Sequence, residues 1–415
     1  MATQSWKQIS LDEVTRKGDI QLGRGNIISS IDIACYPGQY PIYSSSAKGN
    51  GEFGRYSYFM FDEELITWSI DGGGRFFYRP KHKFSVTNVS GYMRAESSKW
   101  NLLFVYYLLD FQHKKIAFDY QTKAHPSVIK NLYYLLEIST QEQKQIAEIF
   151  STIDRAIAQT EAIIAKQQRI KTGLMQDLLT KGIDENGNIR SEATHQFKDS
   201  AIGCIPVEWD VLNLESIVDE PITYGIVQAG LYIEGGIPYI RTGDMSGDSI
   251  PLDRLLRTSK RIADAYKRST VYQMDIVFAL RATVGKVLPI PQELNGANLT
   301  QGTAKISPSS NFDENFILWA LRTSMVSQQI LAVQKGTTFF EITLSDLRQL
   351  LLAVPKTKAE QTYISHCLIT CEQKIQDEKR WLLKQKNTKT GLMQDLLTGK
   401  VRVTNLLKEK EPTIP

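Results

Sequence analysis

Between Gln141 and Thr180 the chain carries no proline, and apolar or small residues return every three or four positions. Ile146, Ile149, Ile153, Ala156, Thr160, Ile163, Gln167 and Ile170 step alternately by three and four, which is heptad spacing. The stripe predicts one long helix whose single apolar face needs a covering partner. The pattern returns 218 positions later as Ile364, Cys367, Cys371, Lys374, Glu378, Trp381, Gln385 and Thr388. That second stripe is poorer in its middle, with Ile375 and Leu382 one position away. The two helices close identically: Lys171-Thr172-Gly173-Leu174-Met175-Gln176-Asp177-Leu178-Leu179-Thr180 recurs unchanged as residues 389–398. A repeat of this length predicts two domain-sized halves rather than a solenoid.

Each half opens alike, Trp6 to Val14 reading against Trp209 to Ile217. Ahead of each helix the pattern changes to short apolar or β-branched runs separated by Gly, Ser, Asn and Asp. In the first half Tyr40–Tyr43, Tyr56–Phe61, Leu65–Ile70, Arg75–Tyr78 and Phe84–Val89 predict strands, and Trp100–Phe111 predicts a helix. In the second half Ile237–Arg241, Asp275–Leu280, Lys286–Ile290 and Gly302–Ile306 predict strands, and Phe312–Leu331 a helix. Residues 181–201 show no apolar period and predict a loop. The expected fold class is α+β: two mixed α/β bodies separated by a pair of long antiparallel coiled-coil helices, related as a pseudo-two-fold repeat. The expected divisions are a first body at 1–138, a helix at 139–181, a linker at 182–206, a second body at 207–356, a second helix at 357–400 and a tail at 401–415. Matched stripes favour pairing of the two helices with each other. Antiparallel pairing would set the bodies at opposite ends of a rod roughly 50–60 Å long, suited to a two-part target.

Composition changes little in this picture. The chain has 415 residues, 42% hydrophobic and 23% charged, ordinary for a globular protein of two domains. The net charge of +4 permits nucleic-acid binding without indicating it. The longest apolar run, Leu102–Leu109, is too short to span a membrane, and the N-terminus lacks the pattern of a secretion signal. Four scattered cysteines fit a reducing compartment, so a cytoplasmic protein is expected. Cys367 and Cys371 stand four apart on a predicted helix, but no second ligand pair completes a zinc set. The five histidines do not cluster, and no metal site is expected. There is no Pro-Pro, hence no Asn/Asp/Ser-Pro-Pro-Tyr/Phe pocket for a flipped adenine. There is also no phosphate loop, no His-Glu-x-x-His and no Gly-x-Ser-x-Gly. The chain reads as non-catalytic.

With the repeat, the helices and the empty catalytic inventory in place, the chain resembles the specificity subunit of type I restriction-modification enzymes. Four stretches of the second body carry the resemblance: Ile237 to Met245 (Ile-Pro-Tyr-Ile-Arg-Thr-Gly-Asp-Met), Arg281 to Lys286 (Arg-Ala-Thr-Val-Gly-Lys), Gly296 to Ala304, and Lys335 to Phe339 (Lys-Gly-Thr-Thr-Phe). They are similar to that family's target recognition domain, and each helix to its helical spacer. The first body departs from these motifs. Tyr40 to Ser46 stands where Pro-Tyr-Ile-Arg would be, Ile70 to Arg75 near Arg-Ala-Thr, and Lys123 to Pro126 near Lys-Gly-Thr.

The resemblance implies double-stranded DNA as partner, each body reading one half of a split site. It implies two modification subunits, which bind S-adenosylmethionine and methylate adenine, and two restriction subunits that use ATP and magnesium. No cofactor is expected on this chain. Candidate DNA-binding residues are Ser45, Ser46, Lys48, Arg75 and Lys123 in the first body. In the second they are Arg241, Thr242, Arg281, Lys286, Gln301, Thr303, Lys335 and Thr337. Arg, Gln and Asn side chains suit base edges, and Lys suits phosphate. Leu174, Met175, Leu178, Leu392, Met393 and Leu396, identical in two halves whose bodies differ, are expected to dock the two identical partners, with packing against the neighbouring body as the plainer alternative. A protein-interaction adapter is the competing reading, and it predicts no salt-dependent binding of duplex DNA.

Overall fold

The two heptad stripes each form one unbroken helix of 39 residues, Thr140–Leu178 and Lys358–Leu396, at positions that match residue for residue across the 218-residue repeat. The computed structural model describes residues 6–45, 49–71, 73–116, 123–334 and 340–404. The chain forms two units, one of residues 1–162 with 380–415 and one of 163–379. Each unit therefore holds one body, the opening of its own long helix and the close of the other.

In the first unit the elements run β1 (Gln8–Ser10), α1 (Leu11–Arg16), β2 (Ile20–Arg24), α2 (Ser30–Cys35), β3 (Tyr40–Tyr43), β4 (Glu52–Tyr56), β5 (Phe61–Ser69), β6 (Phe76–Val86), β7 (Ser90–Ala95), α3 (Leu102–His113), α4 (Pro126–Leu132), β8 (Tyr134–Leu136) and the start of α5 (Thr140–Leu178). Six strands make one sheet in the order β2-β7-β5-β6-β3-β4, and β1 pairs with β8 where the chain enters α5. The sheet places Trp68 and Phe76 against Phe104 and Leu108 of α3, Phe150 of α5 and the far helix end at Met393, Leu396 and Leu397.

The second unit runs β9 (Phe197–Ser200), β10 (Gly203–Pro206), β11 (Trp209–Asn213), β12 (Thr223–Tyr224), β13 (Ile237–Ile240), β14 (Leu256–Thr258), α6 (Lys260–Ala265), β15 (Thr270–Val271), β16 (Ile276–Ala279), β17 (Val287–Pro289), β18 (Ala297–Leu299), β19 (Thr303–Ile306), α7 (Glu314–Ala320), α8 (Ser324–Val333), α9 (Leu344–Arg348), β20 (Leu351–Pro355) and the start of α10 (Lys358–Leu396). Its strands form two four-stranded sheets, β12-β19-β16-β17 and β14-β13-β18-β15, while β11 pairs with β20 as β1 does with β8.

The expected helix in each body is present, but Phe312–Leu331 is two helices, α7 and α8, bent by 62° at Leu321 to Thr323, where Thr323 caps the second. Tyr56–Phe61 is a break between β4 and β5, and β6 is one strand of 11 residues where two were expected. The linker is not a bare loop. Asp184 Oδ1 accepts from the Asn186 and Asn188 amides, Ile183 bridges Ile189, and β9 and β10 form a hairpin.

The register of the helices also needs correction. Ile146, Phe150, Thr160 and Ile164 are buried on α5, and Gln361, Ile364, Leu368, Ile375 and Gln385 on α10, whereas Ile163 and Ile170 are 43% and 48% exposed and Trp381 50%. The covered seam thus steps four then three from Ile146, not three then four. Ile149, Ala156, Trp381 and Thr388 instead line an open groove of about 540 Å³ in the first unit, bordered by Ile153 and Gln385 of the seam. Within each unit the helices run antiparallel: in the first Asp154 meets Lys389 and Glu161 meets Lys386, and in the second Lys171 meets Glu372 while Ile183, past the end of α5, meets Glu360. No single helix among the described residues is long and apolar enough to cross a membrane.

The repeated ten residues find their use here. Lys389 Nζ lies 2.6 Å from Asp154 and 5.4 Å from the centre of the Tyr107 ring, and Lys171 Nζ lies 2.6 Å from Glu372 and 5.6 Å from that of Trp319. Tyr107 donates to Asp154 at 2.8 Å, and burial followed by that carboxylate raises its pKa. Leu178, Met393 and Leu396 are buried in their own units, and Leu174, Met175 and Leu392 are partly buried against the same cores. These six side chains hold the helix end to a body. The assignment of Leu178, Met393 and Leu396 to a partner-docking face is corrected, because the core already covers them, while Leu174, Met175 and Leu392 are half covered by the same cores.

Candidate nucleic-acid interface

The two bodies share a scaffold that their sequences conceal. In the first, the Cβ of any side chain at Gly25 would lie 1.9 Å from the Val86 carbonyl oxygen; at Gly225 the distance to the Leu299 carbonyl oxygen would be 1.8 Å. Each glycine admits a close parallel crossing, marked by the bridges Asn26–Thr87 and Ile226–Thr300. Thr87 N donates to the Tyr43 carbonyl and Thr300 N to that of Ile240. Arg55 pairs in register with Pro41 and donates to the Gln39 carbonyl; Arg257 pairs with Pro238 and donates to that of Gly236. Ala124 N donates to the Ile70 carbonyl, as Ile342 N does to that of Leu280. Five matched contacts align the bodies where their motifs do not.

This alignment explains two of the candidates. Next to the last contact, Lys123 Nζ sits 3.1 Å from Asp71 in the first body, and Arg281 Nε sits 2.9 Å from Glu341 in the second. The same position thus carries an ion pair of opposite polarity in each body. A pair that survives reversal of its signs serves as a clasp between two segments, and its cations are already engaged. Both pairs are about half exposed, so each contributes at most about 1 kcal/mol.

Three of the four motifs of the second body meet at one junction, and the fourth, Lys335 to Phe339, lies outside the described residues. Leu280 N donates to the Gly302 carbonyl, and the Thr303 hydroxyl to the carbonyls of Ile240 and Thr300. Thr303 is fully buried, so its assignment as a DNA contact is corrected; a hydroxyl spent on two strand ends cannot reach a base. Arg241 donates from Nε and Nη2 to Asp244, which holds its pKa above the ordinary value through those bonds. Thr242, half-buried, lies against Gly302, where a Cβ would come within 3.1 Å. Gln301 N donates to the Ile226 carbonyl, which places Gln301 beside the Gly225 crossing. Lys286 Nζ is 3.9 Å from Asp248, on a different cavity wall from this junction.

In the first body Ser45 accepts from the Ser69 hydroxyl through its carbonyl, and the exposed Arg75 lies 4.9 Å from the Phe77 ring centre. Ser46, Lys48, Lys335 and Thr337 lie outside the described residues. Arg79 carried no signal in the sequence. It is 5% exposed, stacks 3.5 Å over the Tyr43 ring, and donates to Thr67 Oγ1 and the Asn50 carbonyl. Among the described residues no carboxylate pairs with it, and burial pulls its pKa down to about 10. A strand interior reading as Arg-Pro-Lys-His-Lys gives no hint that its first cation points inward.

The sequence pattern described as the type I restriction modification DNA specificity domain matches residues 4–168 and again 206–385. The type I restriction enzyme MjaVIII specificity subunit of Methanocaldococcus jannaschii is 25% identical over 356 residues, 82% of this chain and 80% of that one. The EcoBI specificity subunit of Escherichia coli is 26% identical over 231 residues, 54% of this chain and 48% of that one. Among solved structures, the S subunit of a type I restriction-modification system from M. genitalium superimposes with a TM-score of 0.63 at 16% identity, covering 94% of this chain and 96% of that one, which speaks for the fold alone.

Proposed function

The chain belongs to the type I restriction-modification DNA specificity family, and on that premise we propose that it chooses the DNA sequence on which a type I complex acts. Each body reads one half of a two-part site. The observation that carries this reading is the matched scaffold of the bodies, with Gly25 and Gly225 at equivalent crossings and different side chains around them. Equal frames with unequal loops suit a target of two unlike halves. Direct reading of bases then falls to the loops beside each crossing, with phosphates bound by the cations around them.

The chain itself performs no chemistry in this proposal. Two modification subunits bring S-adenosylmethionine and methylate adenine, and two restriction subunits bring ATP and magnesium for translocation and cleavage. Since the Leu174 to Leu178 face is largely covered by its own unit, the modification subunits dock elsewhere on the helices. The open groove at Ile149, Ile153 and Trp381 fits in the first unit, and the exposed Ile163 and Ile170 stand at the repeat-equivalent positions of Trp381 and Thr388.

The test is a titration of the chain, assembled with its modification subunits, against duplex DNA across a salt series. Affinity should fall steeply with salt, and one bipartite sequence should be preferred. Adenine methylation mapped across a genome carrying the system identifies that sequence. Binding that is flat in salt, or that shows no preferred sequence, refutes the proposal.

A further inference from the structure

The three most exposed large apolar side chains among the described residues are Leu231 at 86%, Ile27 at 81% and Ile31 at 71%. A single exposed leucine means little. These three, however, fall on just two segments, and the shared scaffold puts those segments in equivalent places. Each follows the crossing glycine, Gly25 or Gly225, leaves its sheet, and re-enters as β3 of the same sheet in the first body or as β13 of the other sheet in the second. Outside the sheet each displays apolar side chains: Ile27, Ile31 and Tyr36 in the first body, and Val227, Leu231 and Tyr232 in the second.

The second segment is firmly held. Ile226 N donates to the Leu299 carbonyl, the Thr258 hydroxyl to that of Ala229, and Ile233 N to that of Arg257. Gly230 and Gly235 adopt φ of +71° and +70° on either side of the tip, and Ile262 Cδ1 packs 3.0 Å from where a Gly230 Cβ would lie. The tip is therefore presented ready-formed, and little order must be gained when it meets a surface.

Its surroundings are cationic. Lys260 and Arg261 stand exposed on α6, which packs on the segment through Ile262. Lys267 and Arg268 follow, with the Arg268 guanidinium 5.9 Å from the centre of the Tyr224 ring, just ahead of the crossing. Asp264, which pairs with Lys260, and Glu234 are the neighbouring acids. An apolar tip ringed by an excess of Lys and Arg matches a duplex, which offers thymine methyls in its major groove, and apolar base faces where a side chain wedges between base steps, all between two rows of phosphates.

We propose that the Val227 to Ile233 tip, and its counterpart at Ile27 to Ile31, contact the bases of the two half-sites through apolar side chains while the flanking cations bind phosphate. The proposal rests on the DNA-reading function above. It assigns part of the affinity to contacts that salt does not screen.

The experiment uses the chain assembled with its modification subunits and a duplex carrying the methylated sequence, titrated over a salt series. Leu231→Ser with Tyr232→Ser should lower affinity about tenfold to a hundredfold at every salt concentration, from the loss of one to two buried apolar side chains. The slope of log affinity against log salt should not change. Leu231→Met should retain binding. Lys260→Ala with Arg261→Ala should instead flatten the slope by about one per lost phosphate contact. Unchanged affinity in the Ser variant overturns the proposal. So does weakened assembly with the modification subunits when DNA binding is intact, which would make the tip a protein-docking surface. A wild-type complex without salt-dependent, sequence-preferring binding would refute the DNA-reading function itself, and is seen before any variant is made.

Discussion

Glu360 opens the second long helix and ties three segments of its unit together. Its carboxylate accepts from both terminal nitrogens of Arg190, from Trp209 Nε1 at 3.1 Å and from the Ile183 amide at 3.1 Å. The side chains of Arg190 and Glu360 are 8% and 11% exposed. Burial alone would lower the Arg190 pKa, and the bonds and charge of Glu360 outweigh it, so the guanidinium is held above its ordinary value. The repeat-equivalent Glu142 meets Arg402 in the first unit, where Arg402 stacks 3.9 Å over the Trp6 ring and is 42% exposed. The two clasps therefore differ in how much water can rescue an abandoned arginine. Glu360→Gln keeps an acceptor for Trp209 and removes only the charge, leaving a buried cation with no carboxylate nearer than the half-exposed Glu208 at 4.0 Å, at a cost of about 3–5 kcal/mol. Glu142→Gln leaves a guanidinium that can turn to solvent, at a cost of about 1–2 kcal/mol. Urea melts followed by tryptophan fluorescence, with hydrogen exchange over residues 183–190 to localise the loss, measure both. Replacing the whole pair, Arg190→Met with Glu360→Leu, should recover most of the stability, because neither charge then remains buried. Equal losses at Glu360 and Glu142, or a loss below about 1 kcal/mol at Glu360, would refute the argument from desolvation.

Exchanging the ions of the exposed clasp, Arg281→Glu with Glu341→Arg, should leave thermal stability within about 0.5 kcal/mol of wild type, whereas Arg281→Glu alone lowers it by about 1 kcal/mol; thermal melts of the four-member cycle check this. A base-reading Arg281 would show itself differently, as a swapped variant that folds normally but loses preference at one base position. Gly225→Ala should lower stability by several kcal/mol, since its Cβ would sit 1.8 Å from a carbonyl oxygen and the β12–β18 crossing must open, while Gly243→Ala, with open space around it, should cost under about 1 kcal/mol; chemical denaturation compares the two. Burial works to raise the Glu372 pKa, and Lys171 and Gln376 outweigh it, leaving the carboxyl below its ordinary 4.5. The depressed value places its contribution above pH 4.5, to be lost as pH falls through the lower folded value. Glu372→Gln should flatten that acid limb in a circular-dichroism titration, by under about 1 kcal/mol because solvent screens the pair.

What the sequence by itself determined is the repeat and everything local to it. Two helices of matched length follow from heptad spacing without proline, and two bodies of strands and turns follow from their runs of β-branched residues. The family motifs of the second body are also local, and they gave the functional class. The stripe on α5 was legible as apolar but not in phase. Isoleucine occurs at 146, 149, 153, 157, 163, 164 and 170, so two stripes one residue apart satisfy the same spacing rule, and only packing against α10 and the bodies chose which became the seam. Tertiary structure likewise turned Thr303 from a candidate reader into a buried strand tie and the Leu-Met-Leu close of each helix into core. It also set Lys123 and Arg281 against carboxylates 52 and 60 residues distant in the chain. Each of these outcomes depends on which partner a side chain meets across the fold, and a side chain's chemistry specifies the kind of partner but not its address. The equivalence of Gly25 and Gly225 shows the limit most clearly. Neither glycine stood out among 27, because the constraint on it is a carbonyl oxygen from a strand that the chain has not yet made.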